Sequence, residues 1–190
     1  MRKLVWFIIA PTILGALILF VIMPYVKDQK AIAHYAFELD SSEGHVRLSD
    51  FQGKIPIIYF GYMYCPDICP TSLSVIASAL KQLPKEKAEH FQLFFISVDP
   101  NRDTTEALNA YAKYFYPSAI GLTSNENYLK IVTQNYGAYY TKEYTSKSPQ
   151  DYSVAHTSFI YIMDKKGKMA LKLSHTENPN DVYMALLEML

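Results

Sequence analysis

The 190-residue chain holds two cysteines, Cys65 and Cys69, in the run Tyr59-Phe60-Gly61-Tyr62-Met63-Tyr64-Cys65-Pro66-Asp67-Ile68-Cys69-Pro70. A spacing of four puts two side chains on the same side of a helical turn. The run lies where an apolar, β-favouring stretch gives way to a predicted helix, and amide N–H groups at a helix start favour negative charge. At least one of the thiols is therefore expected to ionise more readily than a free cysteine. Two neighbouring thiolates on a rigid turn can close a disulfide or hold a soft metal ion. As a permanent bridge the pair would close a very short loop and stabilise the fold by only about 2 kcal/mol in the chain-entropy account. A domain this rich in apolar residues has little need of such a staple.

A metal ion asks for a third ligand. Two thiolates and an imidazole suit Cu(I) or the blue-copper type of Cu(II) site, whereas Zn(II) normally takes four ligands. Among the five histidines, His34 falls close to the apolar N-terminus, His45 in a predicted hairpin, and His90 and His175 at polar element ends. His156 directly precedes a predicted strand and follows a long polar segment, which makes it the candidate third ligand, although an isolated histidine is more often structural than ligating. Met63 is soft enough for an axial position, but with 7 methionines in the chain core packing is its default role.

These side chains need elements to hold them. Phe37-Glu38-Leu39 and Val46-Arg47-Leu48 flank Asp40 to Gly44 and read as a small β-hairpin. Residues 55–60 and 91–98 are apolar, β-favouring runs expected of strands buried on both faces. A helix is predicted over 70–83. Asp103 with Glu106, and Thr123 with Glu126, are helix-start signatures that open helices near 104–115 and 124–136. Residues 158–163 and 169–173 flank Asp164-Lys165-Lys166-Gly167 as an antiparallel hairpin, and a last helix starts at Pro179. Residues 137–155 lack firm periodicity and read as a strand near 138–143 followed by an exposed loop that delivers His156. Hairpin, strand, helix, strand, two helices, hairpin and helix describe an α/β domain with a thioredoxin-like fold and an N-terminal β-hairpin.

Half of the residues are hydrophobic and 14% are aromatic, enough for a sizeable core. Eighteen basic residues balance 18 acidic ones, so no concentrated basic face for nucleic acid is expected and nucleic-acid binding is rejected. Residues 4–26 carry no charge and as a helix would reach about 34 Å, enough to cross a bilayer. Arg2 and Lys3 precede them, which by the positive-inside rule leaves the N-terminus in the cytoplasm and the remainder on the periplasmic or extracytoplasmic side. The run exceeds the 7–15 apolar residues usual in a cleaved signal peptide. The expected organisation is a transmembrane anchor over 1–26, a polar linker over 27–35 and a copper-binding domain over 36–190.

Phe60-Gly61-Tyr62 with Cys65-Pro66-Asp67-Ile68-Cys69-Pro70-Thr71 resembles the signature of the Sco/SenC copper proteins. The likeness continues through Ser97-Val98-Asp99-Pro100-Asn101-Arg102-Asp103-Thr104 and Gly121-Leu122-Thr123 to Asp151-Tyr152 and His156. It implies a thioredoxin-like fold on a single anchor in the cytoplasmic membrane, with Cys65, Cys69 and His156 binding one copper as Cu(I) or Cu(II). It further implies a carrier without substrate turnover that matures the CuA-bearing subunit of cytochrome c oxidase. The alternative is a thiol–disulfide oxidoreductase, with Cys65 and Cys69 as its catalytic pair, that prepares the receiving cysteines. Another copper chaperone and a thioredoxin-like reductant are the further partners such roles imply. Two departures stand out. Ala155 occupies the place where many relatives have an acidic residue, and Tyr64 replaces the polar residue often found before the first cysteine. Asp103 is expected as a helix cap paired with Arg102. A thiol peroxidase of the same fold is disfavoured, because Gly61-Tyr62-Met63-Tyr64 offers no small hydroxyl ahead of Cys65.

Overall fold

The computed structural model describes residues 2–144, 152–175 and 178–190. The chain forms two compact units, Met1–His34 and Tyr35–Leu190.

In the first unit, α1 (Arg2–Leu17), a π-helical turn (Ile18–Ile22) and α2 (Met23–Tyr35) follow one another. The π turn closes with the Met23 N–H bonded to the Ile18 carbonyl, one residue before Pro24. Proline has no N–H for the carbonyl four residues back and its ring crowds that carbonyl, so the ladder shifts there. Pro11–Tyr35, 25 residues, is the one helix among the described residues long and apolar enough to cross a membrane. Residues 27–35, read from composition as a polar linker, continue this helix.

The second unit opens with β1 (Glu38–Ser41) and β2 (Gly44–Arg47), the expected hairpin, and a 3-10 turn over Leu48–Phe51. Next come β3 (Ile55–Gly61), α3 (Ile68–Gln82), a short α4 (Lys85–Ala88), β4 (Phe91–Ser97), α5 (Thr105–Phe115), β5 (Ile120–Leu122) and α6 (Glu126–Asn135). The chain ends with β6 (Tyr140–Tyr144), β7 (Tyr152–His156), β8 (Phe159–Met163), β9 (Met169–Ser174) and α7 (Pro179–Glu188). Five strands form one sheet in the order β5-β4-β3-β8-β9, with β3, β4 and β5 parallel and β8 and β9 antiparallel. This is the thioredoxin-like α/β arrangement. Every residue of β3 and β4 is buried, which is why both read as unbroken apolar runs, whereas β9 alternates as an edge strand does. Helices α3 and α7 pack on each other, and α5 lies on β4 and β5. A Cβ at Gly121 would run into the backbone of Leu108, so only glycine lets β5 approach α5 this closely. Hairpin β1-β2 docks on the end of β5 through paired amides of Asp40 and Thr123.

Three expectations are corrected. Asp103 does not cap α5: Thr104 does, its hydroxyl accepting from the Ala107 N–H. Asp103 is instead fully buried. Asn125, not Thr123, caps α6, because Thr123 is taken by the bridge to Asp40. And His156 is the last residue of a strand, not the end of a loop: β7 pairs with β6 in a separate two-stranded antiparallel sheet. The three-residue β5 and one-turn α4 are too short to leave a periodic signal.

Candidate metal centre

Strand β3 carries the chain through the middle of the core and releases it at Gly61. The turn that follows places Cys65 half-buried at the surface and Cys69 fully buried in the first turn of α3. The start of this helix has no side-chain cap from Asp67. Cys65 Sγ takes that role, accepting from the Cys69 N–H at 3.4 Å. Strand β7 brings in the third group from 87 residues away: His156 Nε2 lies 3.2 Å from Cys69 Sγ. The ligand atoms of Cys65, Cys69 and His156 all fall within 4.8 Å of one another, the one such cluster among the described residues.

The ring orientation is set locally. His156 Nδ1 lies 3.1 Å from the Thr157 carbonyl. A carbonyl only accepts, so Nδ1 is the donor and Nε2 is the nitrogen turned to the sulfurs. Tyr59 and Tyr62 stand edge-on to the imidazole, centroids 6.4 and 5.9 Å away. Ala155 is exposed and, by strand alternation, faces away from His156. An acid at that position would leave from the opposite face of β7; in this chain the Thr157 carbonyl orients the ring.

The two sulfurs divide the charge between them. The Cys69 thiol donates to Cys65 and holds its thiol down at about 3, against the opposing effect of burial; His156 and the amides of Asp67 and Cys69 add to the stabilisation. Cys69 is pushed far up, first by that same bond to an ionised neighbour and then by burial. Cys65 is thus the standing thiolate and Cys69 the proton carrier. Two sulfurs and one imidazole form a soft, three-point donor set, which fits Cu(I), whereas a structural Zn(II) would want a fourth ligand.

Two of the other histidines are engaged elsewhere. His45 contacts Asp40 at 2.8 Å, and His175 contacts the buried Ser72 at 2.9 Å. Met63 packs against the core while its amide donates to Asp103 Oδ2 at 2.9 Å. Arg102 pairs with Asp99, not with Asp103 as expected. Asp151, quoted in the sequence resemblance, lies outside the described residues. Two contributors escape a reading by motif. A Cβ at Gly61 would sit 2.8 Å from Cys69 Sγ, so glycine makes room for that sulfur. Tyr152 shares a strand face with Val154 and His156, a period-two pattern obscured by the polar, tyrosine-rich surroundings.

A family model for SCO1/SenC matches residues 26–190. The chain belongs to the SCO1/SenC family. It is 41% identical over 133 residues to a SCO2-like protein of Rickettsia prowazekii, covering 70% of this chain and 64% of the relative; the match thus spans just under two thirds of that relative's length. Apo Sco1 protein from Thermus thermophilus superposes with a TM-score of 0.76 at 36% identity, over 82% of this chain and 91% of the other. ScoI from Arabidopsis thaliana, solved with copper bound, gives 0.73 at 33% identity, over 81% and 95%. The fold is also shared at 22% identity, with a TM-score of 0.61 over 81% and 91%, by BsSco, a member of the Sco family of cytochrome c oxidase assembly proteins in which a disulfide switch is identified. Copper is likewise bound in the solved ScoI of Bradyrhizobium japonicum, which gives a TM-score of 0.69 at 33% identity over 82% of this chain and 98% of the other. In this chain Cys65, Cys69 and His156 are placed so that they could hold a metal ion.

Proposed function

We infer that this protein is a membrane-anchored carrier that binds one copper ion through Cys65 Sγ, Cys69 Sγ and His156 Nε2 and hands it to the CuA-bearing subunit of cytochrome c oxidase. The observation that carries this reading is the convergence of two sulfurs and an imidazole within 4.8 Å, across 87 residues of chain. Loading requires one deprotonation, at Cys69, because Cys65 is already a thiolate. Cys69 is buried while Cys65 and His156 are half-exposed, so an acceptor's thiolate or imidazole would reach the cargo from the Cys65–His156 side. The apolar helix within residues 1–26 supplies the anchor. Arg2 and Lys3 on its N-terminal flank put the binding domain, residues 36–190, on the periplasmic side of the cytoplasmic membrane. A Cu(I) competition titration on reduced protein tests the reading. One ion per chain is expected, lost in Cys65→Ala and Cys69→Ala and weakened in a folded His156→Ala; no copper uptake by the wild type would end it.

A second reading is favoured by the asymmetry of the thiols. The Cys65 thiolate can attack a partner disulfide, forming a mixed disulfide and expelling one partner thiolate. Cys69, once its proton is lost, displaces the second, leaving a Cys65–Cys69 disulfide here and a reduced dithiol on the partner. Two electrons pass to the partner, and a thioredoxin-like reductant would restore the pair. Nothing in this exchange uses His156. Reductase activity on a CuA-subunit disulfide that survives His156→Ala, with oxidase assembly also unaffected, would select this reading over the carrier. Unimpaired assembly in Cys65→Ser cells would exclude both.

A further inference from the structure

Among the described residues, the strand that carries His156 belongs to a two-stranded sheet with no ladder to the five-stranded sheet whose β3 leads to the cysteines. One end of that strand is tethered, because the chain enters β8 beside β3 three residues after His156; the other end needs a contact of its own. At the opposite end of β7, four residues or about 13 Å from His156, Tyr152 is locked to the domain body. Its hydroxyl donates to Asp99 Oδ1 at 2.6 Å, and Asp99 is wholly buried. The Arg102 guanidinium stands over the Tyr152 ring, its Cζ 3.8 Å from the centroid. Its Nη1 donates to the Tyr152 carbonyl at 2.8 Å and its Nε to Asp99 Oδ2. One side chain thus grips ring and backbone of the same residue, and pins both to a buried carboxylate. The guanidinium also stands 5.1 Å from Tyr64 and 5.8 Å from Tyr62, on the loop leading to Cys65.

The same turn holds the other half of the site. Ser97 Oγ donates to Asp103 Oδ2 at 2.6 Å and receives the Asp99 N–H at 3.1 Å, and Asp103 Oδ2 also takes the Met63 N–H. Residues 99–103 therefore touch both ligand-bearing segments, the cysteine loop through Asp103 and the histidine strand through Arg102 and Asp99.

We propose that Arg102, acting with Asp99 on Tyr152, is a positioning residue for His156: it clamps the far end of β7 so that the imidazole meets the two sulfurs. The proposal rests on copper binding by this site and adds to it the device that sets the reach of the third ligand. A guanidinium is suited to the task because its plane stacks on a ring while its edge donates in two directions. Lysine could replace the charge but not this geometry.

The test is a double-mutant cycle on full-length reduced protein, using Cu(I) competition. Arg102→Gln keeps a donor near Asp99 and loses both stacking and the fork. Tyr152→Phe keeps the ring and loses the hydroxyl, a milder change if the first variant folds poorly. Each is expected to weaken copper binding, Arg102→Gln by roughly 10- to 100-fold, as for other groups that orient a metal ligand. Neither should weaken it further in a His156→Ala background, since the clamp acts through that ring. Equal losses in both backgrounds, or no loss in either, would overturn the proposal. A metal-free reading separates its failure from that of copper binding. The ring protons of His156 sit edge-on to Tyr59 and Tyr62, so their NMR shifts should move towards free-imidazole values in both variants. Unmoved shifts would overturn the clamp whether or not the wild type takes up copper.

Discussion

At the scale of single residues, the centre is built from an unequal pair of sulfurs. Cys65, held down at about 3 from an ordinary 9.0, is a thiolate throughout the neutral range, and Cys69, pushed far up, remains a thiol. The lowered value means the charged form of Cys65 persists as pH falls and is lost only on approaching 3. A free thiol loses about tenfold in thiolate for each pH unit below its pKa. Iodoacetamide should therefore modify Cys65 at a nearly constant rate from pH 9.0 down through mild acid, and spare Cys69; peptide mapping reads both. The same asymmetry predicts that Cu(I) loading near neutral pH releases one proton, from Cys69, and not two. Apparent affinity in competition titrations should then rise about tenfold per pH unit, where two protons would give about a hundredfold. Gly61→Ala tests the room left for the buried sulfur. Its Cβ would press on Cys69 Sγ and on the Phe95 ring, both within 3.0 Å, at a cost of about 1–3 kcal/mol. Weaker copper binding should accompany the lowered melting temperature.

At the scale of elements, much of the scaffold is visible in residue patterns. Strands β3 and β4 are unbroken apolar runs because the sheet centre is covered on both faces, and α5 and α6 follow capping residues close to where signatures place them. The caps themselves shift by one or two residues because tertiary contacts claim the first candidates: Asp103 for Ser97 and Met63, Thr123 for Asp40. This reassignment predicts different outcomes for neighbours. Thr104→Ala should cost about 1 kcal/mol in urea unfolding and leave copper affinity unchanged, the behaviour of a helix cap. Asp103→Ala should weaken copper binding as well as stability, because it frees the Met63 amide at the base of the cysteine loop. Strand β7 was not legible: its five residues lie in a polar, tyrosine-rich stretch, and pairing with β6 and the grip on Tyr152, not intrinsic preference, hold it extended.

At the scale of the whole chain, two compact units meet at His34 and Tyr35, whereas the family match begins at residue 26. The helix supplies an apolar surface with little tertiary support, and the domain has its own core. Removing residues 1–34 should shift the protein from the membrane fraction to the soluble fraction after cell breakage and leave copper stoichiometry at one. Loss of copper binding on truncation would show that the domain depends on its anchor for more than address.

Composition, the two cysteines at a spacing of four and the alternation of apolar runs with helix starts were enough to specify an α/β domain behind an apolar helix with a soft dithiol at a strand-to-helix turn. Those properties depend on local chemistry, which a linear string records. The strand that presents His156 and its distance from the sulfurs, the division of charge between Cys65 and Cys69, and the clamp of Arg102 on Tyr152 emerged only from the folded chain. Each depends on groups 50 or more residues apart, or on burial, and both are created when the sheet, the helices and the β6-β7 hairpin pack together.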